Sequence, residues 1–287
     1  MTAFAPAPSD GVRPNRRTGL CALAAVAAVF GAVTFASSAS AAPASLRVEG
    51  EVFVLTLPGG HRLTSTDLIG AELETQDGQT IRIDAVTPAR ERPKVLLHSF
   101  SVLDPATRTW TPLCDADAYG RRAGMPVAGR WDADGRFVKD PDKWFLACSG
   151  GSRAKCVLWG YDPWGRGPHG EDLAAFYQTC QFTVRANYDG QGEAHTRNGT
   201  TVDVSDVLGI ETSDTLKDNR FIFEAGWGPT GAVCVARTRW PELLSLQALL
   251  KASPRLGGPC DEAEARRRGA LIFTRVMDTP VISPPKI

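Results

Sequence analysis

The chain is poor in the residues that soft-metal and redox sites require. Its 287 residues include three Met and four His, with no Cys-x-x-Cys pair and no His placed close to a Cys. A zinc site draws its Cys and His ligands from short, paired spacings, so none is expected, and no other metal or cofactor is expected either. There is no Gly-x-Ser-x-Gly elbow to present a serine nucleophile. There is no excess of charge: 32 Lys and Arg balance 32 Asp and Glu. A nucleic-acid binder normally carries a clustered basic excess, so no nucleic-acid partner is expected. Internal repeats are absent, and residues 42–287 contain no low-complexity tract. What remains is a globular composition, 43% hydrophobic and 22% charged, long enough for one large or two small domains.

The first 41 residues read as an address. Arg13, Arg16 and Arg17 form a basic flank, residues 20–36 carry no charge, and small residues lead to Ala39-Ser40-Ala41. This is the pattern of a secretory signal peptide, with cleavage expected before Ala42. The uncharged stretch is short of the roughly 20 residues that a spanning helix needs, so no membrane span is expected after cleavage. Cys21 opens the apolar stretch and follows Leu20. A lipidated Cys would close such a stretch after a small residue. Without the leader the chain has 246 residues, with 29 basic and 31 acidic groups, and six of the seven Cys remain: Cys114, Cys148, Cys156, Cys180, Cys234 and Cys260. An even number in an exported chain points to three disulfides, and six Cys allow 15 connectivities.

Periodicity divides the remainder into a β-rich segment, 42–117, and a longer unit, 118–277, expected to pack with it as one body. A loose tail is expected over 278–287. Residues 46–57, 68–75, 79–86 and 95–103 alternate as strands do, with turn residues at Pro58-Gly59-Gly60 and Asp77-Gly78 and a further short strand opening at Trp110. Residues 115–136 read as loop. In that loop Asp132-Ala133-Asp134-Gly135 resembles half a calcium loop, but the closing glutamate is missing, so an ordinary turn is expected. Residues 144–148 and 156–159 read as two strands that a disulfide could bridge. The strongest helix covers 172–188, with Leu173, Tyr177, Cys180, Val184 and Tyr188 on one face, Gln178 and Gln181 off it, and a stop at Asp189-Gly190. On that face Cys180 would tie the helix to the sheet. Further helices are expected over 241–252 and 261–268, and buried strands over 231–238 and 270–276. The fold class expected is α+β and β-rich: a disulfide-stabilised sandwich or barrel-like sheet carrying two or three helices.

Across residues 144–240 a series of motifs recurs in a familiar order. They include Phe145-Leu146-Ala147-Cys148, Gly160-Tyr161-Asp162-Pro163-Trp164, Cys180 and Arg185-Ala186-Asn187-Tyr188-Asp189-Gly190. They continue through His195-Thr196-Arg197-Asn198-Gly199-Thr200, Phe223-Glu224-Ala225-Gly226-Trp227 and Gly231-Ala232-Val233-Cys234. In these residues the chain resembles the ADYC-domain proteins, a bacterial exported group named for an Ala-Asp-Tyr-Cys motif. The resemblance covers about the C-terminal half and implies export, but no particular activity. The motif itself is altered to Ala186-Asn187-Tyr188-Asp189. A nucleophilic role for the motif cysteine could not operate here, because a carboxylate does no thiolate chemistry.

Three sets of residues are candidates for function. His195 follows the helix in a polar turn, near Asp189, Glu193 and Asp203 in sequence, and a His beside a carboxylate can serve as a general base. A His that fastens its loop to backbone is the commoner use. Asn187, Asp189, Glu193 and Asp203 offer oxygen ligands without a calcium-loop spacing, and a solvated turn is the simpler reading. Tyr161, Trp164, Trp227 and Trp240 could form an aromatic platform for a sugar or peptide, although core packing is the commoner role of such residues. Asn198-Gly199-Thr200 fits a glycosylation sequon and is read as a turn. The reading that follows is an exported module that binds a ligand or associates with the cell envelope, with a glycan among the partners expected. The rival is a secreted hydrolase of peptide or glycan, with His195 as base and Asp189 or Asp203 orienting it.

Overall fold

A computed structural model describes residues 44–75 and 78–282. The leader expected at 1–41, the turn residue Asp77 and the tail end at 283–287 lie outside the described residues. The N-terminal strands form a meander, β1 (Ser45–Glu49), β2 (Val52–Thr56) and β3 (Arg62–Thr64). The alternation read across 46–57 is thus two strands, folded back at Gly50, where φ is +70°. The central sheet has six strands. It is built from β4 (Glu72–Glu74), β5 (Thr80–Pro88), β6 (Leu96–Leu103), β7 (Trp110–Pro112), β8 (Gly124–Ala128) and, after the two-stranded ribbon β9 (Arg130–Trp131) and β10 (Phe137–Val138), β11 (Trp144–Cys148). Its order is β11-β8-β6-β5-β4, with β7 also on β6. A third sheet of four strands runs in the order β12 (Val202–Asp206), β15 (Ile272–Met277), β13 (Phe221–Gly228), β14 (Gly231–Val235). None of these sheets closes on itself among the described residues, so the fold is α+β and β-rich without a barrel.

The helices α1 (Ser152–Leu158) and α2 (Leu173–Arg185) contribute to the main core. Along β6 the two-residue period decides the packing. Leu97 belongs to the main core with Met125, Val127, Tyr177 and Trp227, whereas Phe100 belongs to a second core with Phe53, Val48 and Ile83. The central sheet is therefore buried on both faces. A third, smaller core sits where α4 (Glu262–Arg267) covers the four-stranded sheet. Contact there is so close that a Cβ on Gly226 of β13 would lie 2.4 Å from the Ala265 Cβ. No helix among the described residues is long and apolar enough to cross a membrane.

Several expectations are corrected. Residues 115–136 are not all loop, since β8 and β9 lie in them, and Gly124, Met125, Pro126 and Val127 are buried. Asp132 does turn the chain, accepting from the amides of Asp134 and Arg136. Residues 156–158 belong to α1 and Trp159 caps it, so they form no strand. The bridge that two strands there would have allowed does not form, and the pairs are Cys114–Cys148, Cys156–Cys180 and Cys234–Cys260. Cys180 joins α2 to α1, not to a sheet. Closing loops of 34, 24 and 26 residues removes about 3 to 4 kcal/mol of unfolded-chain entropy per bridge in the chain-entropy account. Gln178 and Gln181 are buried, because α2 is flanked on both sides: Gln178 accepts from the Phe137 amide, and Gln181 from the Ser152 hydroxyl.

The helix expected from 241 forms only as α3 (Leu246–Ala252), capped by Ser245, so four α-helices form among the described residues. Strands β12 and β13 were not anticipated; a bulge in β13 disturbs its register. The tail is not loose from 278, because the Thr201 amide donates to the Val281 carbonyl and Arg237 pairs with Asp278.

His98 gives the second core a pH limit. The ring is fully buried, stacked on Phe100 at 5.4 Å and edge-on to Phe53, and its nitrogens find only poorly aligned partners in the backbone of Gly124 and Leu96. Burial pushes its pKa down to about 4, opposed only in part by the backbone at Gly124 and Leu96. The unfolded chain therefore binds a proton that the folded chain refuses between pH 6.5 and about 4, and stability falls as pH falls through that window. Urea unfolding should show a loss of about 3 kcal/mol between pH 7 and pH 4 from this group. His98→Leu should remove that component; an unchanged acid slope in the variant would overturn the assignment.

Candidate functional site

The C-terminal end of α2 meets the four-stranded sheet around one buried ion pair. Glu224 of β13 and Arg239 are 0% and 2% exposed, with Arg239 Nη2 3.0 Å from Glu224 Oε2 and Arg239 Nε 3.1 Å from Oε1. The Tyr188 hydroxyl donates to Glu224 Oε1 at 2.6 Å and accepts from the Arg239 amide. The remaining guanidinium protons reach the carbonyl of Val184 in the last turn of α2, the Thr196 hydroxyl and the carbonyl of Thr183, which also accepts from the Ala186 amide. The helix ends at Arg185, three residues short of the expected stop, because Ala186 takes the left-handed conformation at φ 49°. That turn carries Tyr188 inward to stack on Trp227 at 5.1 Å.

His195 belongs to this clasp. It is 8% exposed, its Nδ1 lies 3.2 Å from the Ala186 carbonyl, its ring packs beside Tyr188, and its nearest carboxylate is Glu193 at 3.9 Å. Asp189 and Asp203 are engaged elsewhere: Asp189 accepts from the Gln191 amide, and Asp203 from the hydroxyls of Ser213 and Thr215. The structure thus shows no His195–Asp189 or His195–Asp203 hydrogen bond. Asn187 is buried and accepts from the Gly190 amide. Among the described residues no group of three His, Cys, Asp or Glu is placed to hold a metal ion.

The four aromatics do not form a platform. Tyr161 is buried, with its hydroxyl on Asp206 at 2.9 Å; burial, then the Asp206 charge, pushes its pKa far up. Trp227 is buried and donates to Thr274. Trp240 is 8% exposed, donates to Thr200 and lies beneath Arg197. Trp164 is half-buried against the backbone of Gly50. Packing claims each of them separately.

An open concavity lies elsewhere, beside β12. A cleft of about 410 Å³ is walled by Trp159 at the end of α1 and by Phe221, and its polar lining includes Asp203, Glu211, Asp214 and Thr215. Asp206 shapes its rim. Its carboxylate accepts from the amides of Leu208, Ile210 and Glu211, folding residues 207–211 into a fixed loop. Glu211 is half-buried, and its carboxylate makes no hydrogen bond or ion pair with the described residues. Burial first, then the charges of Asp206 and Asp203, raises its pKa to about 7. Of the cleft residues only Asp203 was singled out from the sequence. Acids at 203, 206, 211 and 214 among Ser and Thr were the available signal, but nothing in one dimension joined them to Trp159.

A disulfide-stapled, β-rich α+β domain with an acidic cleft lined in part by aromatic residues is the class that fold and site define. The sequence model of the ADYC domain matches residues 65–241, more than half of the chain, and the chain belongs to that family. The match starts earlier than the resemblance read from the motifs and includes β4 to β14 with two of the three disulfides. No curated protein and no solved structure matches the chain.

Two substitutions separate clasp from cleft. Glu224→Ala leaves a buried guanidinium without its partner and should cost about 3 to 5 kcal/mol in urea unfolding. Glu211→Gln should do the opposite. An acid whose folded pKa is raised weakens the fold as pH climbs from 4.5 through about 7. The variant should therefore be more stable than the parent by about 1 to 2 kcal/mol at pH 8, allowing for solvent screening at a half-open position, and equal to it at pH 4. Thermal unfolding at the two pH values measures the difference.

Proposed function

We propose that the protein is an exported binding module whose ligand sits in the cleft beside β12, and that its partner belongs to the cell envelope. The cleft carries the reading: it is concave, its lining includes Trp159 and Phe221 as well as acids, and the segments that carry Asp203 and Glu211 are fixed by short-range hydrogen bonds. Such a combination of apolar wall and a few oriented polar groups is what ligand sites have in common. The clasp supports the choice of binding over hydrolysis. His195, the base that hydrolysis would use, is buried against backbone and has no nucleophile hydrogen-bonded to it. Export rests on the leader pattern at 1–41 and on the pairing of all six remaining Cys, which an oxidising compartment permits. On this reading residues 42–117 and 118–277 form one body, since β5, β6, β8 and β11 share a sheet across that boundary.

The full chain, expressed in a bacterial host, should be recovered from the exported fraction with Ala42 as its first residue and without free thiols. It should sediment with isolated envelope material. Thr212→Trp, a change at an exposed cleft residue, should reduce that retention at least fivefold by filling the cleft. Undiminished retention of this variant, or recovery of the chain in the cytoplasm with reduced cysteines, would overturn the proposal. Chemical turnover of the bound material would replace it with the hydrolase reading.

A further inference from the structure

We infer that the cleft takes an extended segment of another protein, which adds as a further strand to the outer edge of β12; this rests on the reading of the cleft as the ligand site. β12 ends one side of the four-stranded sheet, with β15 as its strand neighbour. Its ladder with β15 runs without a bulge from Val202↔Val276 to Asp206↔Ile272. In such a ladder successive residues turn their N–H and C=O alternately toward the neighbour and away from it. Two amides fix the phase. The Val207 amide donates to the Leu271 carbonyl, on the β15 side, and the Asp206 amide turns the other way, to the Glu211 carbonyl. Counting back in twos, Val204 and Val202 also turn their N–H and C=O outward. No described residue bonds to these backbone groups, and both residues line the cleft.

Three features point to a polypeptide main chain as the occupant. The first is burial. Val204 is 8% exposed, and unpaired backbone groups so far withdrawn from water are rare. A strand satisfies Val202 and Val204 together, because it presents N–H and C=O on one side at every second residue, about 6.8 Å apart. The second is that the protein's own chain begins this pairing. Glu211 bonds the edge at Asp206; the loop then turns away, its Ser213 and Thr215 hydroxyls drawn to the Asp203 carboxylate. The third is the placing of the rings. Trp159 packs with Val202 against the main core, whereas Phe221 stands two residues before Phe223, which belongs to the core beneath α4. The two rings thus belong to opposite faces of the sheet, and the side chains of an added strand alternate between those faces. A second copy of this chain is a poor occupant. Pairing two β12 edges would bring Asp203, Glu211 and Asp214 of both copies into one contact, where like charges repel. The segment is therefore rich in β-branched residues and free of acids.

The test is amide hydrogen exchange of the full oxidised protein, followed by nuclear magnetic resonance. The probes are acetyl-Lys-Val-Thr-Val-Thr-Val-Lys-amide, the same peptide N-methylated at its three Val, the same peptide N-methylated at its two Thr, and N-acetylchitotriose. The parent peptide should slow exchange at Val202 and Val204 at least tenfold and leave Asp203 and Ser205 unchanged. Only alternate residues of an added strand face the edge, so one methylated form should lose at least tenfold in affinity and the other should keep most of it. Val202→Pro deletes an outward N–H and no ladder bond, a change that edge strands tolerate. It should weaken the parent peptide at least tenfold with the melting temperature retained; if it fails to fold, the methylated pair still decides. Equal affinity of the two methylated forms, or unaltered exchange at Val202 and Val204, would overturn the inference. So would a dimer in sedimentation that Val202→Pro abolishes, which would assign the edge to a second copy. Cleft resonances shifted by N-acetylchitotriose and not by the peptide would overturn it while leaving the cleft as the ligand site. Cleft resonances unmoved by every probe, with envelope retention surviving Thr212→Trp, would remove both readings.

Discussion

The C-terminal part of the fold depends on one buried charge pair. Glu224 and Arg239 are both inside the protein, where an ionised group costs several kcal/mol unless its hydrogen bonds are complete. Completing them takes atoms from three places: the Tyr188 hydroxyl, the carbonyls of Thr183 and Val184, and the Arg239 amide that satisfies the hydroxyl in turn. This set fixes where α2 ends and how far it stands from β13. The left-handed Ala186 is a consequence. A non-glycine residue in that region is strained, and here the strain is offset by delivery of Tyr188 to the pair and to the face of Trp227.

This explains why the segment that resembles the family's motif does no visible chemistry. Ala186 turns, Asn187 caps the turn through Gly190, Tyr188 closes the ion pair and Asp189 folds back on the Gln191 amide. The Asp189 carbonyl is held by Arg255. Where the motif has Cys, this chain has Asp189, and no thiol is stranded by the change, because all six Cys of the described residues pair with one another. The clasp closes here through the Glu224–Arg239 ion pair and its hydrogen bonds, with no disulfide among them. His195 packs on this clasp as a support, holding the Ala186 carbonyl that the left-handed turn leaves outside the helix.

Much of this was legible in one dimension, and the rest was hidden for physical reasons. The two-residue alternation at 80–88 and 96–103 and the step pattern of α2 report burial directly, so those elements could be read. Strand β8 could not, since glycine and proline disguise Gly124-Met125-Pro126-Val127 as loop while both faces are buried. Polar residues misled for the same reason in reverse. Gln178, Gln181, Glu224 and Arg239 look like surface, yet each is buried because a partner far away in sequence satisfies it. Cys pairing was open for want of distances. The aromatics were visible but their neighbours were not, and a Trp in a core reads the same as a Trp on a platform.

The difference between clasp and cleft is one of satisfied against unsatisfied groups. A polar group whose hydrogen bonds are complete gains little from a ligand, because binding must first break what it already has. Tyr188, Glu224, Arg239 and Trp227 are in that position, so their proximity to the family motif says nothing of recognition. Glu211 is in the opposite position. It is half withdrawn from water, surrounded by like charge and without a counter-ion among the described residues, a state that a fold seeking only stability would relieve with one arginine. The domain places arginines against carboxylates at Asp162, Asp117, Glu224 and Glu264, whereas Glu211, like Glu51, makes no ion pair with the described residues. Stability is given up at that point, and the group left wanting a partner faces the open cleft.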